Sequence, residues 1–159
     1  MFWPKTTTLT TAILFCQLLL FSQNSTLDST HQKRLHKDLT FLTQLESPRN
    51  YKNIASLNKV ANYIKDELTR VCDSVAFQSY PVKGKEYKNV IGSIGLHHKE
   101  RIVIGAHYDV YGNSQGADDN ASGVSAMLYL AKRLKDNAST KGNNYLFIGF
   151  SGDIFDFIF

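Results

Sequence analysis

The sequence predicts an α/β fold, and two observations carry that expectation. Arg101 to Ala106 and Tyr145 to Phe150 read as apolar strands without polar alternation, and between them Val124, Met127, Leu128, Ala131 and Leu134 recur along one helical face. Strands of that kind joined through a helix form a parallel βαβ unit, whose crossover is almost always right-handed.

The remaining elements follow in chain order. Lys5 is the only charge ahead of an apolar run from Leu9 to Phe21, which Gln23, Asn24 and Ser25 close. This is the pattern of a secretory leader, expected over 1–22 with cleavage near Ser22 or Gln23. The run contains Thr10, Thr11 and Gln17 and falls short of the ~20 apolar residues that span a bilayer. Export is therefore expected, periplasmic or secreted, with a membrane partner only if the leader stays uncleaved. One domain, 23–159, is left. Leu35, Leu39, Leu42 and Leu45 stripe a first helix that ends before Ser47-Pro48. Ser56 is the expected cap of a second helix, with Leu57, Val60, Ala61, Ile64 and Leu68 on its buried face, running to Val71. Ser74 to Tyr80 and Tyr87 to Ile94 read as an antiparallel pair, and Asn120 or Ser122 caps the helix of the βαβ unit. Asn137 to Asn144 reads as a loop.

Composition narrows the function classes. The formal charge is +4, with Lys and Arg spread over every segment, and no nucleic-acid motif accompanies it. Of two cysteines, Cys16 lies in the leader, so an internal disulfide is not expected and Cys72 reads as a small buried residue. His97 and His98, flanked by Lys99, Glu100 and Arg101, read as a solvated turn. The pattern says nothing of oligomeric state.

Chemistry concentrates where the strands end. In an open parallel sheet, ligands bind beyond the carboxyl ends of the strands. His107 and Asp109 leave the first strand, Asp119 lies just before the helix, and Asp153 follows the second strand. Imidazole and carboxylate suit Zn²⁺, and a carboxylate has the two oxygens needed to bridge a metal pair that activates water for attack on a peptide carbonyl. His-x-Asp alone is expected about 0.3 times by chance at this composition. The pattern is specific through its combination with the glycine loop, the paired Asp118-Asp119 and the Ser-Gly that enters the helix.

Ile104-Gly-Ala-His-Tyr-Asp-Val110 with Gly116-Ala-Asp-Asp-Asn-Ala-Ser-Gly123 resembles the co-catalytic zinc aminopeptidases of metallopeptidase family twenty-eight. The resemblance extends, less specifically, to Asn89-Val90 and the preceding helices. It implies a zinc-exopeptidase-like three-layer sandwich with a mixed, mainly parallel sheet, truncated after the strand preceding the family's Glu-Glu motif. It also implies a peptide substrate and two zinc ions, with His107 as ligand of one and Asp119 bridging both. Asp109 would orient His107 from behind, and the Asp119-Asn120 peptide bond would be cis. Aminopeptidases, carboxypeptidases and glutaminyl cyclases share this fold and motif, so the motif sets the reaction centre and leaves the substrate open.

The match runs through Gly152 and then departs. Asp153 takes the position of the family's general-base Glu, and Ile154 that of a Glu ligand to the second zinc. Isoleucine coordinates nothing, and the family's later Asp and His ligands have no counterpart here. Since a catalytic zinc has three protein ligands and a water, His107 and Asp119 cannot hold two ions tightly. The expectation is an N-terminal portion of an exported peptidase, inactive alone. Its alternative is a non-catalytic pseudo-peptidase or the degenerate product of a frameshifted gene. An unpaired sheet edge beside Tyr145 to Phe150, and with it poor solubility, is also expected.

Overall fold

The computed structural model describes residues 25–136 and 142–152. The leader 1–22, Cys16, Asp153 and Ile154 lie outside the described residues. The chain divides into units 1–36 and 37–159, the first described only as the opening turns of a helix.

That helix, α1, is Ser25–Thr43, and α2 is Ile54–Thr69. Next come β1 (Ser74–Val82), β2 (Lys85–Ile94) and β3 (Glu100–His107), then a kinked turn (Ala117–Ala121), α3 (Ser122–Asp136) and β4 (Asn143–Phe150). Among the described residues no helix is long and apolar enough to cross a membrane.

Both leading helices differ at their ends from the periodic reading. α1 stops at Thr43, leaving Leu45 beyond it, because Arg49 Nη1 takes the Leu42 carbonyl at 2.7 Å, which another helical turn would have paired with residue 46. α2 begins at Ile54, so Ser56 sits inside its first turn rather than capping it. Asn50 sets that start: its Oδ1 accepts the amides of Lys52 and Asn53 at 3.0 and 3.3 Å, and the resulting turn delivers the Leu57 amide to the Asn53 carbonyl. The stripe itself is as expected, with Leu57, Val60, Ala61, Ile64 and Leu68 all buried. Val71 lies just past the helix end, its amide on the Leu68 carbonyl.

β1 and β2 form a hairpin whose strands run further toward the turn than the apolar pattern reached, with Val82 opposite Lys85. The loop is Lys83-Gly84, both at positive φ, 48° and 79°. That is the type I′ geometry whose twist matches the flanking strands, and glycine adopts it without a Cβ clash. Pro81 is tolerated because β1 is an edge strand.

The sheet order is β1-β2-β4-β3. β3 and β4 pair in parallel across α3, as predicted, while β2 is antiparallel to both β1 and β4. The sheet is thus mixed, with β1, β3 and β4 pointing one way. β2 beside β4, with Val90 opposite Gly149, corrects the expected position of the open edge. β4 is paired on both sides, and β3 takes the outer position, where Ile102 and Val103 are 41% and 56% exposed.

Registry fixes which residues share a face, since paired residues point the same way. A Cβ on Gly149 would meet Ile64 of α2, and one on Gly92 would meet Leu68, so their face is the helix-bearing one. It carries Val90, Ile94, Ala106 and Phe147, which join the buried α2 and α3 residues in the hydrophobic core. Ile91, Leu146, Ile148, Phe150 and Val103 occupy the opposite face and lie outside that core.

Candidate metal centre

The parallel pair ends with both strands at one rim. There the ladder continues one residue past β3, the Tyr108 amide reaching the Phe150 carbonyl at 2.8 Å, and Tyr108 buries its ring and donates its hydroxyl to the Lys88 carbonyl at 2.6 Å. Burial pushes that phenol well above its ordinary pKa, so it stays a donor. His107 is held at the last position of the strand by this anchored neighbour.

The structure brings together His107, Asp109 and Asp119. His107 Nδ1 faces Asp109 Oδ1 at 3.4 Å, and His107 Nε2 lies 3.0 Å from Asp119 Oδ1. Asp109 is buried, and its Oδ2 accepts the Gly152 amide at 3.1 Å, which ties the exit of β3 to the exit of β4. Asp119 is its opposite, with its side chain 72% exposed. One carboxylate is buried beside the imidazole and the other faces solvent. Asp153 lies outside the described residues, although Gly152, its neighbour, is held by Asp109.

The loop sequence explains the placement of Asp119. The Asp119-Asn120 peptide is cis, and both residues leave helical geometry, at φ −114°, ψ 90° and φ −136°, ψ 45°. Asn120 then caps α3 through Oδ1, which accepts the Gly123 amide at 3.0 Å, while Ser122 donates to the Asp118 carbonyl. Of the two candidate caps, Asn120 makes the capping bond. A Cβ at Gly123 would collide with the Asn120 amide, and one at Gly116 with Val110 and the Asp119 carbonyl, so both motif glycines are required by close approach.

Arg49, absent from the sequence reading, and Ser151, which the match through Gly152 spans without giving it a role, support the rim. Arg49, 2% exposed, donates Nε to the Tyr108 carbonyl at 2.7 Å, Nη1 to Leu42 and Gln115 at 2.7 and 2.5 Å, and Nη2 to Gly116 at 2.7 Å. Burial lowers its pKa to about 10, opposed by the negative charges of Asp109 and Asp119. Ser151 accepts the Tyr80 hydroxyl on its carbonyl, donates Oγ to the Lys88 carbonyl and sends its amide to Asn89 Oδ1 at 3.1 Å. Asn89 was noticeable only as part of Asn89-Val90, and nothing periodic marks Arg49.

His107 and Asp119 suit zinc in donor chemistry, and their 3.0 Å separation is near the roughly 3.3 Å between neighbouring ligands of a tetrahedral ion with bonds of about 2.0–2.1 Å. Asp109 stands behind the imidazole as a carboxylate does behind a zinc-bound histidine. The pair fits one corner of a metal site. Among the described residues no group of three His, Cys, Asp or Glu converges to complete it.

Residues 89–153 match Peptidase family M28. The segment runs from within β2 through β3, the His107–Asp119 motif and β4, so the resemblance read from the motif holds, confined to the front portion of the fold. A curated relative, the uncharacterized protein YfbL of Escherichia coli, is 38% identical over 138 residues, covering 82% of this chain and 43% of its own length. A Zn-dependent exopeptidase from Parabacteroides distasonis superposes with TM-score 0.62 at 22% identity, covering 82% of this chain and 49% of that one. The LapA aminopeptidase of Legionella pneumophila gives 0.64 at 22%, covering 76% and 34%. A glutaminyl cyclase from Fimbriiglobus ruber gives 0.66 at 18%, covering 76% and 45%. The chain therefore spans less than half the length of these relatives, and the solved structures establish the zinc-exopeptidase-like fold.

Proposed function

We propose that the chain carries the N-terminal share of a zinc-dependent exopeptidase domain of the aminopeptidase type, 23–159, exported behind a leader at 1–22. The observation that carries this reading is the convergence of His107 Nε2 and Asp119 Oδ1 at the rim of the parallel strands, with Asp109 behind the imidazole. In this reading His107 and Asp119 would hold zinc, and Asp109, 3.4 Å behind His107 Nδ1, would orient the imidazole. In the complete domain, the position of Asp153 would be that of the general base that accepts the proton of the attacking water. When bound, zinc supplies Lewis-acid polarisation of a peptide carbonyl and a water acidified toward neutrality. The chain's own part is to hold donors at fixed positions. Buried Tyr108 anchors the end of the strand that carries His107, Asp109 lies behind the imidazole at 3.4 Å, and exposed Asp119 leaves the rim open to a peptide.

Two protein ligands fall short of the three a catalytic zinc normally has, so the chain alone binds zinc weakly and does not turn over substrate. Calorimetric zinc titration, with hydrolysis of an aminoacyl-p-nitroanilide assayed alongside, tests both statements. Weak binding that disappears in His107→Ala and in Asp119→Ala supports the reading. Zinc uptake indifferent to both substitutions sinks it, and leaves a pseudo-peptidase that keeps the fold without the chemistry. Chelator-sensitive hydrolysis by the chain alone would overturn the expected inactivity. N-terminal sequencing of the exported product checks the leader, for which a start near Gln23 is expected.

A further inference from the structure

Eleven residues separate His107 from Asp119, and a segment of that length does not by itself bring two side chains to 3.0 Å. Something must bracket it. Arg49 touches the segment immediately after His107, at the Tyr108 carbonyl, and again at Gln115 and Gly116, just ahead of Asp118-Asp119. Its own carbonyl accepts the Val110 amide at 3.1 Å, and the next residue, Asn50, donates Nδ2 to the Gly112 carbonyl at 2.5 Å. A further bond from Nη1 to Leu42 fixes the guanidinium to the end of α1.

We propose that Arg49 is a positioning residue for the metal centre: its buried guanidinium clamps both ends of the 108–116 loop and so sets the separation of His107 from Asp119. Four backbone carbonyls, that of Leu42 and three from the 108–116 loop, converge on one planar cation, and among the described residues none of its bonds goes to a carboxylate. A planar fork with five donors in fixed directions can meet that demand, whereas a lysine ammonium has three donors on one atom. The charges facing the guanidinium are the centre's own Asp109 and Asp119.

The role rests on the zinc reading above, and electrostatics and geometry make opposite forecasts for it. If Arg49 acted on the metal only as a nearby positive charge, removing it would tighten zinc binding, and Arg49→Lys would change nothing. If it acts by holding the loop, Arg49→Lys weakens binding although the charge remains.

The experiment compares the full chain with Arg49→Lys, with His107→Ala and with Leu57→Ala, a buried substitution in α2 that serves as a stability control. Zinc affinity is measured by calorimetry, and amide hydrogen exchange over 108–121 is measured on the metal-free proteins. We expect Arg49→Lys to lower zinc affinity at least tenfold, within the roughly 10–100-fold range for residues that orient metal ligands. Exchange at Val110 and Ala121 should accelerate with it, while Leu57→Ala keeps affinity within about twofold and leaves those two amides no faster than the rest of the chain. Equal losses in the two variants would reduce Arg49 to an ordinary stabilising residue, and unchanged loop protection in Arg49→Lys would overturn the clamp. If the unmodified chain shows no zinc binding that His107→Ala removes, the peptidase reading fails. The exchange data then decide the clamp without it.

Discussion

The two faces of the sheet carry similar side chains and have different fates. On one face Val90, Ile94 and Phe147 meet Ile64 and Leu68 of α2 and Val124 and Leu128 of α3, and are almost completely shut off from water. On the other, Ile91, Leu146, Ile148 and Phe150 are as apolar but remain half-buried, and Val103 is exposed. The strands therefore read as buried on both sides in sequence while only one side is packed against helices among the described residues. Apolar character reports what a strand is built to meet, and registry with the helices reports what it has met.

Adjacent residues of β4 test that comparison most directly. Phe147→Ala empties a fully enclosed site on the helix-bearing face, and a loss of about 3–5 kcal/mol is expected in urea denaturation. Ile148→Ala, one residue along and pointing the other way, should cost well under half as much, because much of its surface is already shared with solvent. Equal costs would show that the second face is packed as tightly as the first.

A smaller effect is expected at the entry to α3. Asn120→Ala removes the side chain that caps the Gly123 amide, and about 1 kcal/mol of stability should go with it. The same substitution leaves His107 and Asp109 untouched. Zinc affinity should therefore fall by less than in Arg49→Lys, and a larger fall would place control of Asp119 in the cap instead of the clamp.

Much of this architecture was legible because periodicity records which side of an element is apolar. The α2 and α3 stripes, β3, β4 and their parallel pairing followed from it. The metal motif was legible for a different reason. The glycines at 116 and 123 each sit where a Cβ would collide, and together with His107 and the paired Asp118-Asp119 they make a pattern rarely met by chance. Arg49 was not legible, since every group it binds is a backbone carbonyl and carbonyls leave no trace in sequence. The position of β4 inside the sheet was hidden likewise, because strand order depends on β2 folding back beside it. Ser56 failed as a cap because Asn50 had already started the helix two residues earlier, a long-reach effect of one side-chain oxygen.

Cys72 gives the least disruptive test of the packed face. Cys72 is half-buried, less enclosed than its sequence suggested; its sulfur lies on the α2 side, close to Gly92 and Leu68, and burial pushes its pKa up to about 12, with Asp73 adding to the rise and Lys135 opposing it. A thiol raised in the folded state favours the neutral form. Its contribution to stability is full below the unfolded pKa, near 8.5, and is lost as pH climbs from there toward 12. At pH 8 iodoacetamide should therefore modify the native chain far more slowly than the urea-unfolded chain, since the thiolate is the reactive form. The native rate should also rise steeply between pH 9 and 12. Rapid native alkylation at pH 8 would mean that the α2 end of the packed face opens readily, and the contrast between the two faces would then be one of degree. Protection that survives Ile148→Ala but not Phe147→Ala would tie the thiol's burial to the helix-bearing face alone, with the opposite face contributing nothing to it.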